Sequence, residues 1–93
     1  MESVAKKEQK PAITVYTTEP CARCHRSKEI LTRFGLEYDE VNLAKDPVGR
    51  RELVELTGHM TFPQIVIDGN PLGGEQELRE AADNGELERL AQA

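Results

Sequence analysis

The sequence predicts a small α/β domain in which a mixed four-stranded sheet is flanked by helices, in the order β-α-β-α-β-β-α. Two observations favour this fold class. Strand-like runs rich in β-branched residues alternate with segments of helical period, which is the pattern of β-α-β units. The last two strand-like runs are separated only by D-G-N at positions 68–70, a turn sequence typical of an antiparallel hairpin. With 93 residues the chain has room for a single hydrophobic core.

The first strand and the first helix come at the start of the predicted domain. Residues 12–16 are β-branched and aromatic enough to indicate a buried strand. A helical period follows from Pro20 or Cys21 to Phe34 and predicts the first helix. Gly35 readily adopts the left-handed conformation that ends helices, so it is predicted to end this one. The inward face of this helix carries three apolar residues, Ile30, Leu31 and Phe34.

A second strand and a second helix complete the β-α-β-α half. Residues 36–43 predict an edge strand, because acidic and amide side chains keep much of its surface in water. Asp46-Pro47 predicts a helix start, with a capping carboxylate followed by proline at the first helical position. Gly58 ends this helix, while Gly49 weakens its beginning. Its apolar stripe has three members, Leu53, Val54 and Leu56.

The remaining elements are a hairpin and a helical region. Residues 64–68 contain a buried apolar run, and residues 71–73 form a short strand after the turn. Gly74 opens the last helical region, which Asn84-Gly85 interrupts before a final turn or two. The apolar positions of this region are Leu78, Ala81, Ala82, Leu87 and Leu90.

Composition limits the classes of function that the chain can perform. We expect a flexible N-terminal tail over residues 1–11 and one domain over residues 12–93. The net charge of -5 argues against a nucleic-acid-binding protein, whose surface would be basic. No apolar run approaches the length of a membrane span or a signal-peptide core. We therefore expect a cytoplasmic monomer that binds neither nucleic acid nor membrane.

The chemistry of the chain centres on its two cysteines, Cys21 and Cys24. They lie where the first strand gives way to a helix, and helical residues three apart share one face. Their Cα separation of roughly 5–6 Å is within the range that a disulfide can bridge. In a cytosolic protein such a pair is more often catalytic or metal-binding than structural.

The position of each cysteine on the helix predicts its role. Cys21 is placed at the helix start, where unpaired N–H groups and the helix dipole favour a thiolate. Cys24 lies on the apolar side of the helix. We therefore expect Cys21 to be the exposed nucleophile and Cys24 the more buried resolving thiol. Four basic side chains also surround the pair and favour the thiolate, namely Arg23, His25, Arg26 and Lys28.

Three motifs, taken in order, link the chain to a known family. C-A-R-C occupies residues 21–24 at a strand-to-helix junction, T-F-P-Q-I-V-I-D-G occupies residues 61–69, and a Gly-Gly pair stands at residues 73–74. In these motifs the chain resembles a dithiol glutaredoxin, or a close glutaredoxin-like redoxin, from residue 12 to its end. The resemblance implies a thioredoxin-like fold. It also implies a thiol–disulfide oxidoreductase that reduces protein disulfides, glutathione mixed disulfides, or both.

The resemblance further implies a binding groove beside Cys21. Pro63 would follow a cis peptide bond, leaving the backbone of Phe62 free to pair with an extended substrate thiol. Thr61 would flank the groove, and Arg50 would approach the glycine carboxylate of glutathione. N–H groups at a helix start would hold the γ-glutamyl end, and these are the N–H groups around Gly74, Glu75 and Gln76. Glutathione or another small thiol would be a co-substrate, with no tightly bound cofactor and no metal.

Three positions depart from the family pattern. Thr18 stands where a lysine is usual, Arg23 replaces the tyrosine of C-P-Y-C, and Gln76 replaces an aspartate that would meet the ammonium of glutathione. Arg23 supplies positive charge in the absence of the lysine. An alternative is a related small redoxin that takes electrons from thioredoxin reductase and reduces ribonucleotide reductase. Its usual W-S-G-F-R-P-E signature is absent, since residues 72–76 read L-G-G-E-Q.

The cysteine pair also permits two functions of other classes. C-A-R-C-H at residues 21–25 matches the attachment motif of c-type haem, with His25 as one axial ligand and His59 or Met60 as the other. The same cysteines with the histidines have the ligand types of a tetrahedral zinc site. The strand-rich pattern and the T-x-P segment argue against a small helical cytochrome. The helix-start position argues against a purely structural disulfide.

Overall fold

The computed structural model of the protein describes residues 11–92 of the chain. The predicted tail, residues 1–11, lies outside the described residues except for Pro11. The elements are β1 (Ile13–Thr17), α1 (Ala22–Arg33), β2 (Asp39–Asn42), α2 (Pro47–Thr57), β3 (Gln64–Ile67), β4 (Asn70–Gly73), α3 (Glu75–Asp83) and α4 (Glu86–Gln92).

The four strands form one mixed sheet in the order β2-β1-β3-β4. Strand β1 pairs in parallel with β2 and antiparallel with β3, and β3 pairs antiparallel with β4. The parallel pair requires a crossover connection, which α1 provides. Strand β2 lies at an edge, as its polar surface predicts. The central position of β1 means that the chain leaves the middle of the sheet directly into the cysteine segment.

The hydrophobic core joins the sheet to three of the four helices. Its buried cluster consists of Ile13, Val15, Leu31, Leu36, Ile65, Leu78, Ala81 and Leu87. These side chains come from β1, α1, β3, α3 and α4 and from the segment that follows α1. Ile30 and Phe34, also predicted to face inward, are partly buried against this cluster. Helix α1, which carries both cysteines at or near its start, is therefore held by the centre of the core.

Helix α2 is less buried than its sequence predicts. Leu53 is 2% exposed, but Leu56 is 44% exposed and Val54 is only partly covered. The prediction that Leu56 belongs to a buried stripe is wrong. Helix α2 packs near the edge strand β4, so the sheet covers only part of the apolar stripe.

Helix ends follow the predicted signals. Asp46 accepts a hydrogen bond from the Gly49 N–H at 2.9 Å, and Gly58 ends α2 with a φ of 79°. A Cβ on Gly49 would lie 2.6 Å from Leu43 Cδ2, so close packing explains a glycine in the first turn. Asn84-Gly85 divides the last helical region into two separate helices, one element more than the predicted order contains. Together the sheet and helices form the predicted thioredoxin-like arrangement.

Candidate active site

The two cysteines meet at the start of α1. Cys21 is the N-cap residue with an extended backbone, one position before the helix, and Cys24 lies in the first turn. They form a disulfide with a Cα–Cα distance of 5.3 Å. The Cys24 N–H also donates a hydrogen bond to Cys21 Sγ at 3.1 Å. This N–H would stabilise a thiolate on Cys21 after reduction, because a helix-start donor favours negative charge.

The two cysteines differ in exposure, as expected, while their roles as nucleophile and resolving thiol stay a prediction. Cys21 is partly exposed, whereas Cys24 is 3% exposed and faces the interior of the protein. An incoming thiolate or disulfide therefore has access to Cys21 first. Cys24 is placed to react with Cys21 rather than with solvent.

An open groove of about 760 Å³ lies next to the cysteine segment. Its volume falls within the usual range of ligand sites. The groove brings together seven of the predicted site residues, Arg23, Thr61, Phe62, Pro63, Gly74, Glu75 and Gln76. Arg23, which lies between the two cysteines in the chain, lines the groove, whereas neither cysteine does.

One wall of the groove is the loop before β3. The Phe62–Pro63 peptide bond is cis, the geometry that the resemblance implies. The Gln64 side-chain amide donates a hydrogen bond to Thr61 Oγ1 at 2.9 Å. This bond connects the residues on either side of the Phe62–Pro63 pair and fixes the conformation of the loop. A Cβ on Gly74 would lie 3.2 Å from the Pro63 carbonyl oxygen, so the start of α3 approaches this loop closely. Glycine at position 74 permits this approach.

The start of α3 forms the opposite wall of the groove. One backbone N–H group there already has a hydrogen-bond partner within the protein. The Gly74 N–H donates to Glu77 Oε1 at 2.8 Å. The expectation that the Gly74 N–H holds a substrate carboxylate is therefore corrected. The N–H groups of Glu75 and Gln76 belong to the first turn, where backbone donors have no partner within the helix. These two donors remain for an anionic ligand.

An ion-pair cluster joins α1 to α3 along the groove. Arg26 Nε and Nη2 donate to the two carboxylate oxygens of Glu75 at 2.7 and 3.1 Å. Arg79 Nη2 lies 3.0 Å from Glu75 Oε2. The hydrogen bond from Arg26, followed by the charges of both arginines, holds the pKa of Glu75 below its usual value, while burial opposes this shift. The same pairing raises the pKa of Arg26.

The Glu75 ion pairs predict a specific acid response. Because the folded-state pKa of Glu75 is lowered, its stabilising contribution is present above the unfolded glutamate pKa of about 4.3. The contribution disappears as the pH falls through the lower folded-state pKa. We therefore expect the difference in unfolding free energy between wild type and Glu75→Gln to be constant from pH 7 to about 5 and to shrink below about 4.3.

Urea unfolding at a series of pH values measures this difference. Glu75→Gln introduced into an Arg26→Ala, Arg79→Ala background serves as the control, since the lowered pKa has both arginines as its causes. The pH-dependent part of the difference should vanish there. A wild-type difference that stays unchanged down to pH 3 would contradict the prediction.

Arg50 is the predicted site residue that the structure places elsewhere. Its guanidinium donates to the backbone carbonyls of Leu43 at 2.8 Å and Ala44 at 2.6 Å, and it is not among the groove residues. Its donors are used to hold the segment between β2 and α2. Arg50 therefore does not line the groove, and its implied contact with the glycine carboxylate of glutathione stays a prediction.

Several groove residues were not assigned to the site from the sequence. The sequence indicates only that Arg26 is a cation near the cysteines and predicts no role for Glu77 or Arg79, yet all three line the groove. A signal for Glu77 is its position three residues after the helix-capping glycine. Arg79 follows Glu75 by four residues, the spacing of a helical ion pair. His59, named above only as a possible haem ligand, lines the groove as well.

Two further features concern metal ions and membranes. Within residues 11–92 no group of three or more His, Cys, Asp or Glu side chains is arranged to hold a metal ion. In the same part of the chain no helix has the length and apolar character needed to cross a membrane.

The site and the fold together define a class of protein. A cysteine pair that closes a disulfide at a helix start, carried by a mixed sheet with flanking helices, is the arrangement of thiol–disulfide oxidoreductases with a thioredoxin-like fold. The described geometry places this protein in that class.

Comparison with known proteins narrows the class to a family. The sequence model of the glutaredoxin family matches residues 13–72. Glutaredoxin 3 of Escherichia coli K12 is 33% identical over 78 residues, which cover 84% of this chain and 94% of that protein. This chain belongs to the glutaredoxin family and is a thiol–disulfide oxidoreductase.

Solved structures support the fold assignment. The solution structure of glutaredoxin from Brucella melitensis has a TM-score of 0.75 and 36% identity, covering 86% of this chain and 87% of that one. A buckwheat glutaredoxin–glutathione complex has a TM-score of 0.78 at 23% identity, covering 98% of this chain and 89% of that one. At 23% identity, the similarity to the buckwheat protein shows a shared fold alone.

Proposed function

We propose that this protein reduces protein disulfides and glutathione mixed disulfides, with glutathione as its electron donor. The observation that carries the proposal is the groove beside the cysteines, which combines the Pro63 loop, the start of α3 and the cationic Arg23. Glutathione is a small peptide with two carboxylates, and such a ligand suits a groove that offers helix-start donors and the cationic Arg23. The buckwheat glutaredoxin solved with glutathione adds support from the same fold.

The reaction uses the two sulfurs in sequence. The Cys21 thiolate attacks a substrate disulfide and forms a mixed disulfide, and one substrate sulfur leaves as a thiolate. Cys24 then attacks Cys21 Sγ in a protein-bound mixed disulfide, releasing the second substrate thiolate and forming Cys21–Cys24. Glutathione reduces this bond in two exchange steps and becomes glutathione disulfide. For a glutathionylated substrate, Cys21 takes up the glutathionyl group and a second glutathione releases it.

In this proposal the groove residues bind the two ends and the backbone of the ligand. The backbone of Phe62, next to the cis peptide bond, pairs with the extended ligand in a strand-like way. The N–H groups of Glu75 and Gln76 receive the γ-glutamyl carboxylate, and Arg23 attracts the opposite end. Within residues 11–92 Arg23 forms no ion pair, so its charge is available to a ligand.

One position in the groove favours a second candidate function. Gln76 is neutral where the family pattern has an aspartate, and the nearby Glu77 carboxylate is engaged by the Gly74 N–H. An ammonium group of glutathione therefore meets no carboxylate at position 76, and the nearby Glu77 carboxylate already accepts one hydrogen bond. A redoxin that takes electrons from thioredoxin reductase and serves ribonucleotide reductase has no need of that contact. We also propose that the protein is a cytoplasmic monomer whose domain begins at residue 12.

Two recycling systems, tested on the same disulfide substrate, distinguish the candidate donors. We expect turnover with glutathione and glutathione reductase, and none with thioredoxin reductase in the absence of added thiol. Gln76→Asp should lower the KM for a glutathionylated peptide, because it restores a carboxylate to the ammonium position. NADPH consumption measures both systems. Turnover with thioredoxin reductase alone would replace the proposed donor and make the groove beside Gly73-Gly74 irrelevant to recycling.

A further inference from the structure

Helix α1 buries a hydroxyl group for which the oxidised structure provides no partner. Ser27 is 0% exposed, and its Oγ forms no hydrogen bond within the described part of the chain. Burying a hydroxyl without a hydrogen bond costs free energy, so buried hydroxyls are usually paired. Alanine would fill nearly the same space without that cost. The unpaired hydroxyl therefore calls for a function in another state of the protein.

The neighbour that changes between states is Cys24. The buried residues of α1 are Cys24, Ser27 and Leu31. Cys24 and Ser27 are three positions apart on the helix, where side chains share a face with Cβ atoms roughly 5–6 Å apart. In the oxidised protein Cys24 Sγ is bonded to Cys21 Sγ. A disulfide sulfur carries no charge and no proton, so it has little use for the hydroxyl.

Reduction changes that requirement. A thiolate of the electron donor attacks Cys21 Sγ, a new sulfur–sulfur bond forms there, and the Cys21–Cys24 bond breaks. The electron pair of the broken bond moves to Cys24 Sγ, which leaves as a thiolate at a position that is only 3% exposed. A buried charge without a hydrogen-bond donor is strongly unfavourable. The leaving thiolate later takes a proton from solvent and becomes a thiol.

We propose that the Ser27 hydroxyl is the hydrogen-bond partner of Cys24 Sγ in the reduced protein. It donates to the thiolate as the disulfide breaks and pairs with the thiol after protonation. The hydroxyl is unpaired in the oxidised state and paired in the reduced state, so it favours reduction of the Cys21–Cys24 bond. When Cys24 attacks a mixed disulfide on Cys21, the same donor stabilises the attacking thiolate. The inference rests on the dithiol reaction but not on glutathione as the donor.

The test measures the equilibrium between the disulfide and the dithiol in Ser27→Ala. The full chain is incubated in mixtures of reduced and oxidised dithiothreitol, trapped by alkylation, and analysed by mass spectrometry. We expect the equilibrium constant to shift toward the disulfide by about fivefold, the factor that corresponds to one lost hydrogen bond of typical strength. Thr32→Ala, which removes an exposed hydroxyl from the same helix, is the matched control and should leave the equilibrium unchanged.

Thermal unfolding of both redox forms separates this role from simple packing. Ser27→Ala should raise the melting temperature of the oxidised protein, because it removes an unpaired buried hydroxyl. It should lower the melting temperature of the reduced protein. Equal shifts in both forms, or an unchanged dithiothreitol equilibrium, would overturn the proposal. The dithiothreitol result does not depend on glutathione recognition, so failure of the recycling experiment and failure of this inference are distinguishable.

Discussion

Cys21→Ser should abolish the reduction of every disulfide substrate, whereas Cys24→Ser should remove only the reduction of protein disulfides. Cys21 is the accessible sulfur at the helix start, and each reaction of the proposed cycle begins there. Without Cys24 a protein-bound mixed disulfide cannot be resolved within the protein. A glutathione mixed disulfide on Cys21 is still released by a second glutathione, so part of the deglutathionylation activity should remain.

Two assays read out this asymmetry, one with a disulfide-bonded protein and one with a glutathionylated peptide. The two variants are matched controls for each other, since each removes one thiol and prevents the same internal disulfide. Circular dichroism should show the same helix and strand content in both. Equal loss of activity by both variants in both assays would refute the assignment of Cys21 as nucleophile and Cys24 as resolving thiol.

Gly73→Ala should destabilise the protein by roughly 3 kcal/mol and weaken binding in the groove. Gly73 has a φ of 129°, a conformation that residues with a Cβ rarely adopt. An added Cβ would also lie 2.6 Å from Glu77 Cγ and 2.9 Å from Glu77 Cβ. Displacing Glu77 would remove its hydrogen bond with the Gly74 N–H and disturb the start of α3. Urea unfolding and the KM for a glutathionylated peptide measure the two effects.

Gly69→Asn provides the matched control for this substitution. Gly69 also has a positive φ, 81°, but a Cβ there would meet no atom within 4 Å. Asparagine tolerates the left-handed conformation, so the expected loss of stability is less than about 1 kcal/mol, with an unchanged KM. If Gly73→Ala changes the unfolding free energy and the KM no more than Gly69→Asn does, the prediction is wrong. The close packing of Gly73 against Glu77 would then be needed neither for stability nor for binding in the groove.

Local features of the sequence were sufficient to predict most of the fold. Gly35 and Gly58 end their helices with positive φ values, and Asp46 caps α2, because these signals depend on residues close in the chain. The same reasoning located the cysteine pair, since spacing along one helix sets the distance between the sulfurs. The predicted burial of Leu56 was wrong because the spacing of apolar residues along a helix does not show how much of that helix the sheet covers.

Contacts between distant segments had to come from the tertiary structure. The Arg26–Glu75 ion pair joins residues that are 49 positions apart, and neither residue alone signals the other. Arg50 carried the correct charge for a ligand, but its guanidinium is used by the carbonyls of Leu43 and Ala44. The unpaired hydroxyl of Ser27 is likewise visible only when every neighbouring atom is placed.

The sequence by itself determined the cysteine chemistry, the family of this protein and the order of its elements as far as the last helical region. Those properties depend on residue type and spacing along short stretches of chain. The tertiary structure decided which charges remain available in the groove and which buried groups lack a partner. Both depend on the packing of α1 against α3 and of the Pro63 loop against Gly74, where the competing partners come from separate parts of the chain.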